Sequence, residues 1–253
     1  MKPPATPFLE EQRSKLKDIF WHLRWLGDLI EHDPGNEGVK FLDFCRQHLP
    51  QSSSQAFQDL FVLYTLGEKR GGYFVEFGGA DGVAMSNTFL LERDYGWSGI
   101  VAEPARVWHS QLKANRSCHV DVRCVFERSG ETVAFKEVGT GEISAIQSLA
   151  GRGGLAEARR SGIVYDVETI ALHDLLAFYN APPLIDYISI DTEGSEFAIL
   201  SHFDFGRYDV KAITVEHNFV EEDRDRIHTL LTSKGYARQF PELSGFDDWY
   251  VKA

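Results

Sequence analysis

The sequence predicts an α/β fold, a mostly parallel seven-stranded sheet behind an N-terminal helical extension, and three observations carry that reading. From Tyr73 onward, short apolar runs bounded by Gly, Asp or Asn each precede a helix-length polar segment, which is the pattern of βαβ units around a parallel sheet. Before about residue 70 the apolar positions recur at helical spacing instead. Near the end, two short apolar segments follow a helix closed by Gly235 and read as an antiparallel pair.

Within the extension, Ile19, Phe20, Leu23, Leu26, Leu29 and Ile30 share one helical face. A second helix is expected over 39–48 and a third over 55–66, punctuated by Pro50 and by Ser52, Ser53 and Ser54, serine being a good N-cap. We take 1–53 as the extension and 54–253 as the α/β domain. Its five parallel strands are placed at 73–77, 99–102, 122–126, 185–190 and 212–215. A helix over 221–234 then leads to the closing pair at 237–240 and 249–251. Between the third and fourth parallel strands, 139–162 is rich in Gly, Ala, Ser and Arg, lacks periodicity and reads as a mobile loop that could serve as a lid. Its Arg152, Arg159 and Arg160 either clamp an anionic group of a substrate or simply solubilise the loop.

At 253 residues with 43% hydrophobic and 13% aromatic content, the chain has material for one sizeable core, which excludes a disordered or fibrous protein. Lys and Arg total 26 against 38 Asp and Glu, and the net charge of −12 argues against nucleic-acid partners. Cys45, Cys118 and Cys124 are odd in number and lack CxxC spacing, so neither a disulfide framework nor a zinc knuckle is expected, and a reducing cytoplasm suits them. No apolar run is long enough to span a membrane, and the first residues do not resemble a signal peptide.

The chemistry begins where the first strand runs into Gly78, Gly79, Ala80, Asp81 and Gly82. Small residues let a backbone turn tightly and approach a ligand closely. With Glu76 the loop reads Glu-x-Gly-x-Ala-x-Gly, which differs from the Gly-x-Gly-x-x-Gly that aims a helix N-terminus at a pyrophosphate. The second strand ends in Glu103 and Pro104, one strand-helix-strand unit later, so a carboxylate at the neighbouring edge can accept both hydroxyls of a ribose.

At the end of the fourth strand, Ser189 to Glu196 gathers three acids, and the fifth supplies Glu216, His217 and Asn218 at the matching edge. A helix cap from Asp191 or Ser195 would explain one acid of the group. A hydroxyl that reacts at this edge must lose its proton, and His217, Asp191 and Glu193 are the base candidates. Alternatively, oxygen ligands from Asp191, Glu216 and Asn218 could hold magnesium.

These segments together resemble the FkbM-type methyltransferases. The resemblance runs from about Ser54 to Val251, through Ser54-Gln55 with Gln58-Asp59, Phe74 to Gly82, Ser86-Asn87-Thr88 with Leu91-Glu92, Gly96 to Gly99 leading to Glu103-Pro104, Ser189 to Glu196, Glu216-His217-Asn218 and Asp247 to Tyr250. It implies a Rossmann-like class I methyltransferase fold, S-adenosylmethionine as donor, and acceptor oxygens such as sugar or polyketide hydroxyls. It also implies that Ser86, Asn87, Gln58 and Asp59 meet the amino-acid end of the donor, with Asp191 nearby, whereas Ser86 and Asn87 could equally be N-caps. The adenine is expected after Val125, where Phe126, Glu127 and Arg128 give no clear signal. The partner expected is therefore a small molecule or glycan with a free hydroxyl.

Two rival readings remain. A nicotinamide-dependent oxidoreductase would need the phosphate-binding glycine spacing and a Tyr-Lys or His-Asp pair, neither of which is found. A non-catalytic module would instead bind a partner or a membrane surface through Phe20, Trp21, Trp25 and Leu29, a stripe that could also pack on its own domain or on a dimer mate.

Overall fold

The computed structural model describes residues 27–28, 31–33, 35–152 and 155–253, so the aromatic stripe of the first helix lies outside the described residues. The chain divides into two units after Pro50. In the first, α1 (Glu37–His48) is capped by Asn36, whose side chain accepts the Val39 N–H at 3.2 Å.

The second unit opens on α2 (Gln58–Thr65), shorter than the helix expected from residue 55, because Phe57 sits at φ 64° and cannot continue a helix backward. Around it runs β1 (Tyr73–Phe77), α3 (Phe89–Tyr95), β2 (Ser98–Ala102), α4 (His109–Asn115) and β3 (His119–Asp121). After an intervening segment come β8 (Leu184–Ile190), α6 (Glu196–Ser201), β9 (Asp209–Glu216), α7 (Glu221–Ser233), β10 (Tyr236–Gln239) and β11 (Asp247–Lys252). The intervening segment holds β4 (Cys124–Phe126), β5 (Thr132–Glu137), β6 (Ala145–Ile146), β7 (Ile163–Ala171) and α5 (Leu172–Phe178).

One sheet has seven strands in the order β10-β11-β9-β8-β1-β2-β3. Its neighbours from β9 to β3 are parallel, while β11 runs antiparallel to both β9 and β10, as the closing pair predicts. Strand order reverses beside β1, so the carboxyl ends of β1, β2, β8 and β9 open one crevice at the switch point. Val75, Ile100, Ile188, Ile213 and Val215 pack against Leu175, Leu176, Ile199, Leu200, Ile227 and Leu231 of α5, α6 and α7, each such side chain contributing roughly 1.5–3 kcal/mol.

Two expectations need correction. The third strand of the main sheet is β3, not 122–126, and Cys124–Phe126 pairs with β7 in a second, four-stranded sheet of order β4-β7-β5-β6. The 139–162 segment is not a structureless insertion. It contributes β6, which pairs with β5, and it leads directly into β7, the spine of that second sheet. Period-2 patterning was present in Val133 and Phe135 and in Val167, Thr169 and Ala171, all on the half-buried strands that the βαβ reading passed over. No helix among the described residues is long and apolar enough to cross a membrane.

Candidate functional site

At the switch point lies a cavity of about 360 Å³, lined from β1 by Phe77, Gly78 and Ala80, from β2 by Ala102, Glu103 and Pro104, and from the β8 and β9 ends by Asp191, Glu193, Glu216 and Asn218. Gly78 lets the loop after β1 pass close to the end of β8. It stands at φ +79°, and a Cβ there would fall 2.0 Å from the Asp191 carbonyl oxygen. Gly78→Ala should therefore cost at least about 2 kcal/mol of stability, through left-handed strain and a backbone clash. Denaturant unfolding checks this, and a variant as stable as the parent would show that the loop can move aside.

Beyond Gly78, Ala80 takes φ 45° and donates its N–H to Glu103 Oε2 at 2.9 Å, while Glu103 Oε1 accepts the Ala105 N–H at 2.7 Å. Those bonds fix the carboxyl at the cavity wall. Burial pushes Glu103 up to about 7, against the opposing pull of the two backbone donors. Apolar side chains from Cys124, Val125, Phe135 and Ile146 form the wall beside it. All four belong to the second sheet, Cys124 and Val125 on β4, Phe135 on β5 and Ile146 on β6, whereas Phe126, Glu127 and Arg128 do not line the cavity.

Other expected contacts lie behind the loop. Glu76 is buried and accepts from Ser86 Oγ, the Asn87 N–H at 2.6 Å, Thr88 Oγ1 and Arg116 Nη1. Ser86 Oγ also accepts the Phe89 N–H at 3.1 Å, the act of a helix cap, and neither Ser86 nor Glu76 lines the cavity. Asp81 folds onto the Val83 and Ala84 N–H groups, and Gly82 offers its carbonyl to Arg116. Asp59 is buried among Ser52, Ser53 and Ser54, which donate to its carboxylate, so it staples that segment away from the cavity.

Gln58 and Asn87 do line it. Gln58 Nε2 donates to Asp247 Oδ2 at 2.6 Å, and its Oε1 accepts the Ala56 N–H at 2.8 Å. Asn87 Nδ2 donates to Ser189 Oγ at 2.9 Å, and its Oδ1 is buried without a hydrogen-bond partner. An orphaned acceptor on a cavity wall is a place for a donor group of a ligand, such as an ammonium.

The opposite wall is acidic. One carboxylate oxygen each from Asp191, Glu193 and Glu216 lie within 4.8 Å of one another. Asp191 and Glu216 share a hydrogen bond, and both are held well above the usual carboxylate range, Asp191 by burial and the charges of Glu193 and Asp247, Glu216 by burial and the charges of Asp191 and Glu193. Glu193, at φ 61°, is raised by burial despite Arg159, which donates to it from the 139–162 segment and is itself buried. Arg159 is thus a structural tie, while Arg152 pairs with Asp223, and Arg160 pairs with Glu157 on the surface. Glu196, the first residue of α6, turns back to accept the Thr192 and Gly194 N–H groups of the preceding loop, and the cap residue Ser195 makes no side-chain cap bond.

Asn218 and His217 are turned from their expected tasks. Asn218 Nδ2 donates to Glu193 Oε2 at 2.9 Å, and Glu193 joins Asp191 and Glu216 in a carboxylate trio that could hold a cation. His217 does not line the large cavity. Its Nδ1 accepts the Phe219 N–H at 3.1 Å, its Nε2 lies 3.9 Å from Asp248 Oδ1, and burial keeps the ring below the usual histidine range. With Nδ1 occupied as an acceptor, the neutral ring carries its proton on Nε2, and no free lone pair faces a substrate.

A parallel sheet with this order and reversed final hairpin, a tight glycine loop after β1 and an acid after β2 define a class I methyltransferase fold. The sequence profile of the FkbM methyltransferase domain matches residues 76–237, and the chain belongs to that family. It is an S-adenosylmethionine-dependent methyltransferase. Two solved structures align with most of it. The precorrin-6y C5,15-methyltransferase of Geobacter metallireducens GS-15 shares 10% identity, with 76% of this chain and 85% of that one covered at a TM-score of 0.39. A putative caffeoyl-CoA O-methyltransferase of Staphylococcus aureus shares 16% identity, with 91% and 98% covered at a TM-score of 0.43. Curated proteins yield no match.

Proposed function

We propose that the chain methylates a hydroxyl of a sugar, in a glycan, a glycolipid or a secondary metabolite. The observation that carries this reading is the shared cavity, in which Glu103 on one wall faces a space closed on the other by Asp191, Glu193 and Glu216. When bound, the donor supplies an electrophilic methyl on a sulfonium. Glu103 then offers acceptors to ribose hydroxyls, and Asn87 Oδ1 offers one to the amino-acid end. An alcohol is a poor nucleophile until its proton leaves, and the Asp191–Glu216 pair is the group placed to take it. Acids at that edge also favour the cationic donor by charge alone.

A second reading is favoured by the closeness of the three carboxylates, which suits a hard divalent cation such as magnesium. Asp191, Glu193 and Glu216 would hold it, although Arg159 already neutralises part of Glu193. Its chemistry would be to stabilise the acceptor as an alkoxide. Transfer of labelled methyl onto a panel of glycans, repeated with a chelator, separates the two. Under the carboxyl-base reading activity survives chelation. Activity lost to the chelator and restored by magnesium would move the proton step to the metal reading.

A further inference from the structure

The turn after β9 carries a residue that its backbone does not suit. Val220 N–H bonds to the His217 carbonyl at 2.8 Å across Asn218 at φ 46° and Phe219 at φ 58°. This is the geometry of a type I′ turn, whose central positions favour Asn and Gly. Asn218 fits, but a phenylalanine in the left-handed region is strained, and burial does not compensate, since Phe219 is 68% exposed. Its ring nevertheless lines the cavity beside Glu216 and Asn218. Met85, 45% exposed and at φ 60°, lines the same cavity.

We propose that Phe219 is the specificity-determining residue for the acceptor, a platform on which the C–H face of a sugar ring lies while one of its hydroxyls reaches the Asp191–Glu216 pair. This rests on the reading of the acceptor as a sugar. An aromatic face carries partial negative charge and pairs with the weakly positive C–H face of a pyranose, which an exposed aliphatic side chain would do less well. His217 is the positioning residue. Its Nδ1 holds the Phe219 N–H, its own N–H and that of Asn218 both bond to the Phe246 carbonyl, at 2.9 and 3.2 Å, and its ring meets that of Phe219 at 78° with centroids 5.9 Å apart. The turn is thus pinned so that a strained aromatic stays at the cavity mouth.

The test uses methyl glycosides as probes, with S-adenosylhomocysteine present, on the full chain and on Phe219→Gly and Phe219→Tyr. Saturation-transfer NMR reads which sugar protons touch the protein, calorimetry reads affinity for the homocysteine product, and thermal melting reads stability. For the parent we expect saturation concentrated on one C–H face of the sugar. Phe219→Gly should lose about tenfold or more in glycoside affinity, with product affinity unchanged and Tm equal or higher, because glycine relieves the positive φ. Phe219→Tyr should keep glycoside binding. Parental glycoside affinity in Phe219→Gly would overturn the platform while leaving the sugar reading intact. A lowered Tm in Phe219→Gly with no rescue of binding by Tyr would assign the ring a structural role. Failure of the parent to bind any of the glycosides would overturn the sugar reading and the platform with it.

Discussion

Asp191→Asn should reduce methyl transfer by roughly 10²–10⁴-fold, the range for loss of a general base, while affinity for S-adenosylhomocysteine stays within a few-fold of the parent. The substitution keeps shape and leaves untouched the backbone carbonyl that Gly78 packs against. What it removes is one carboxyl of a buried pair crowded by Glu193 and Asp247. Since those neighbours disfavour a charge at Asp191, the variant should also be more stable, pairing lost function with a gain in Tm. Glu216→Gln should behave alike, and the double variant should be little worse than either single one, as expected of groups acting as a unit. Turnover near the parent's in both single variants would take the proton step away from this edge.

The second large effect is expected at Glu103. Its replacement by Ala strands ribose hydroxyls without their acceptor and should cost roughly 1.5–3 kcal/mol of donor binding. Ala80 and Ala105 N–H lose their partner as well, so Glu103→Gln, which keeps one acceptor oxygen, separates the loop's integrity from the charge. Burial raises the carboxyl to about 7, so the protonated form prevails only below that pH. The sign then follows. Glu103's contribution to stability is fully present below the ordinary glutamate range and is lost as pH rises through about 7, worth roughly 3 kcal/mol at most. Hydroxyl donors favour the ionised form, so donor affinity should rise over the same interval with release of a proton. Calorimetry in buffers of different ionisation enthalpy reads that proton, and a Glu103→Gln variant with the same pH dependence would place the titration elsewhere.

Much of the site was legible because its chemistry sits where backbone constraints are strongest. A loop that must pass within van der Waals reach of a neighbouring strand needs Gly78, and an acid one βαβ unit later needs only counting. The acids after β8 and β9 were visible for the same reason, since parallel strands deliver their carboxyl ends to one edge. What each side chain does there was less legible. Glu76 belongs to the same motif as Gly78 but points to Arg116, Ser86 and Thr88 on the far side of the loop, a choice made by strand alternation and by partners 10 to 40 residues away. His217 was singled out for its position, yet it follows a strand that ends in a turn, and its Nδ1 serves that turn. Asn218 offers nitrogen, not oxygen, to its acidic neighbour. The second sheet is less legible because its strands are half-buried and its pairing joins residues 124–126, 132–137 and 163–171 across a glycine-rich stretch. Those strands carry Cys124, Val125, Phe135 and Ile146, one wall of the cavity.

The most direct measurement is the fate of a ¹³C-labelled methyl group supplied on S-adenosylmethionine and followed by NMR with a panel of glycans and sugar nucleotides. The account predicts a methoxy carbon on a sugar, formed by the parent and lost in Asp191→Asn. A labelled methyl appearing on nitrogen or on carbon, or a methoxy product formed equally by Asp191→Asn and Glu216→Gln, would contradict it.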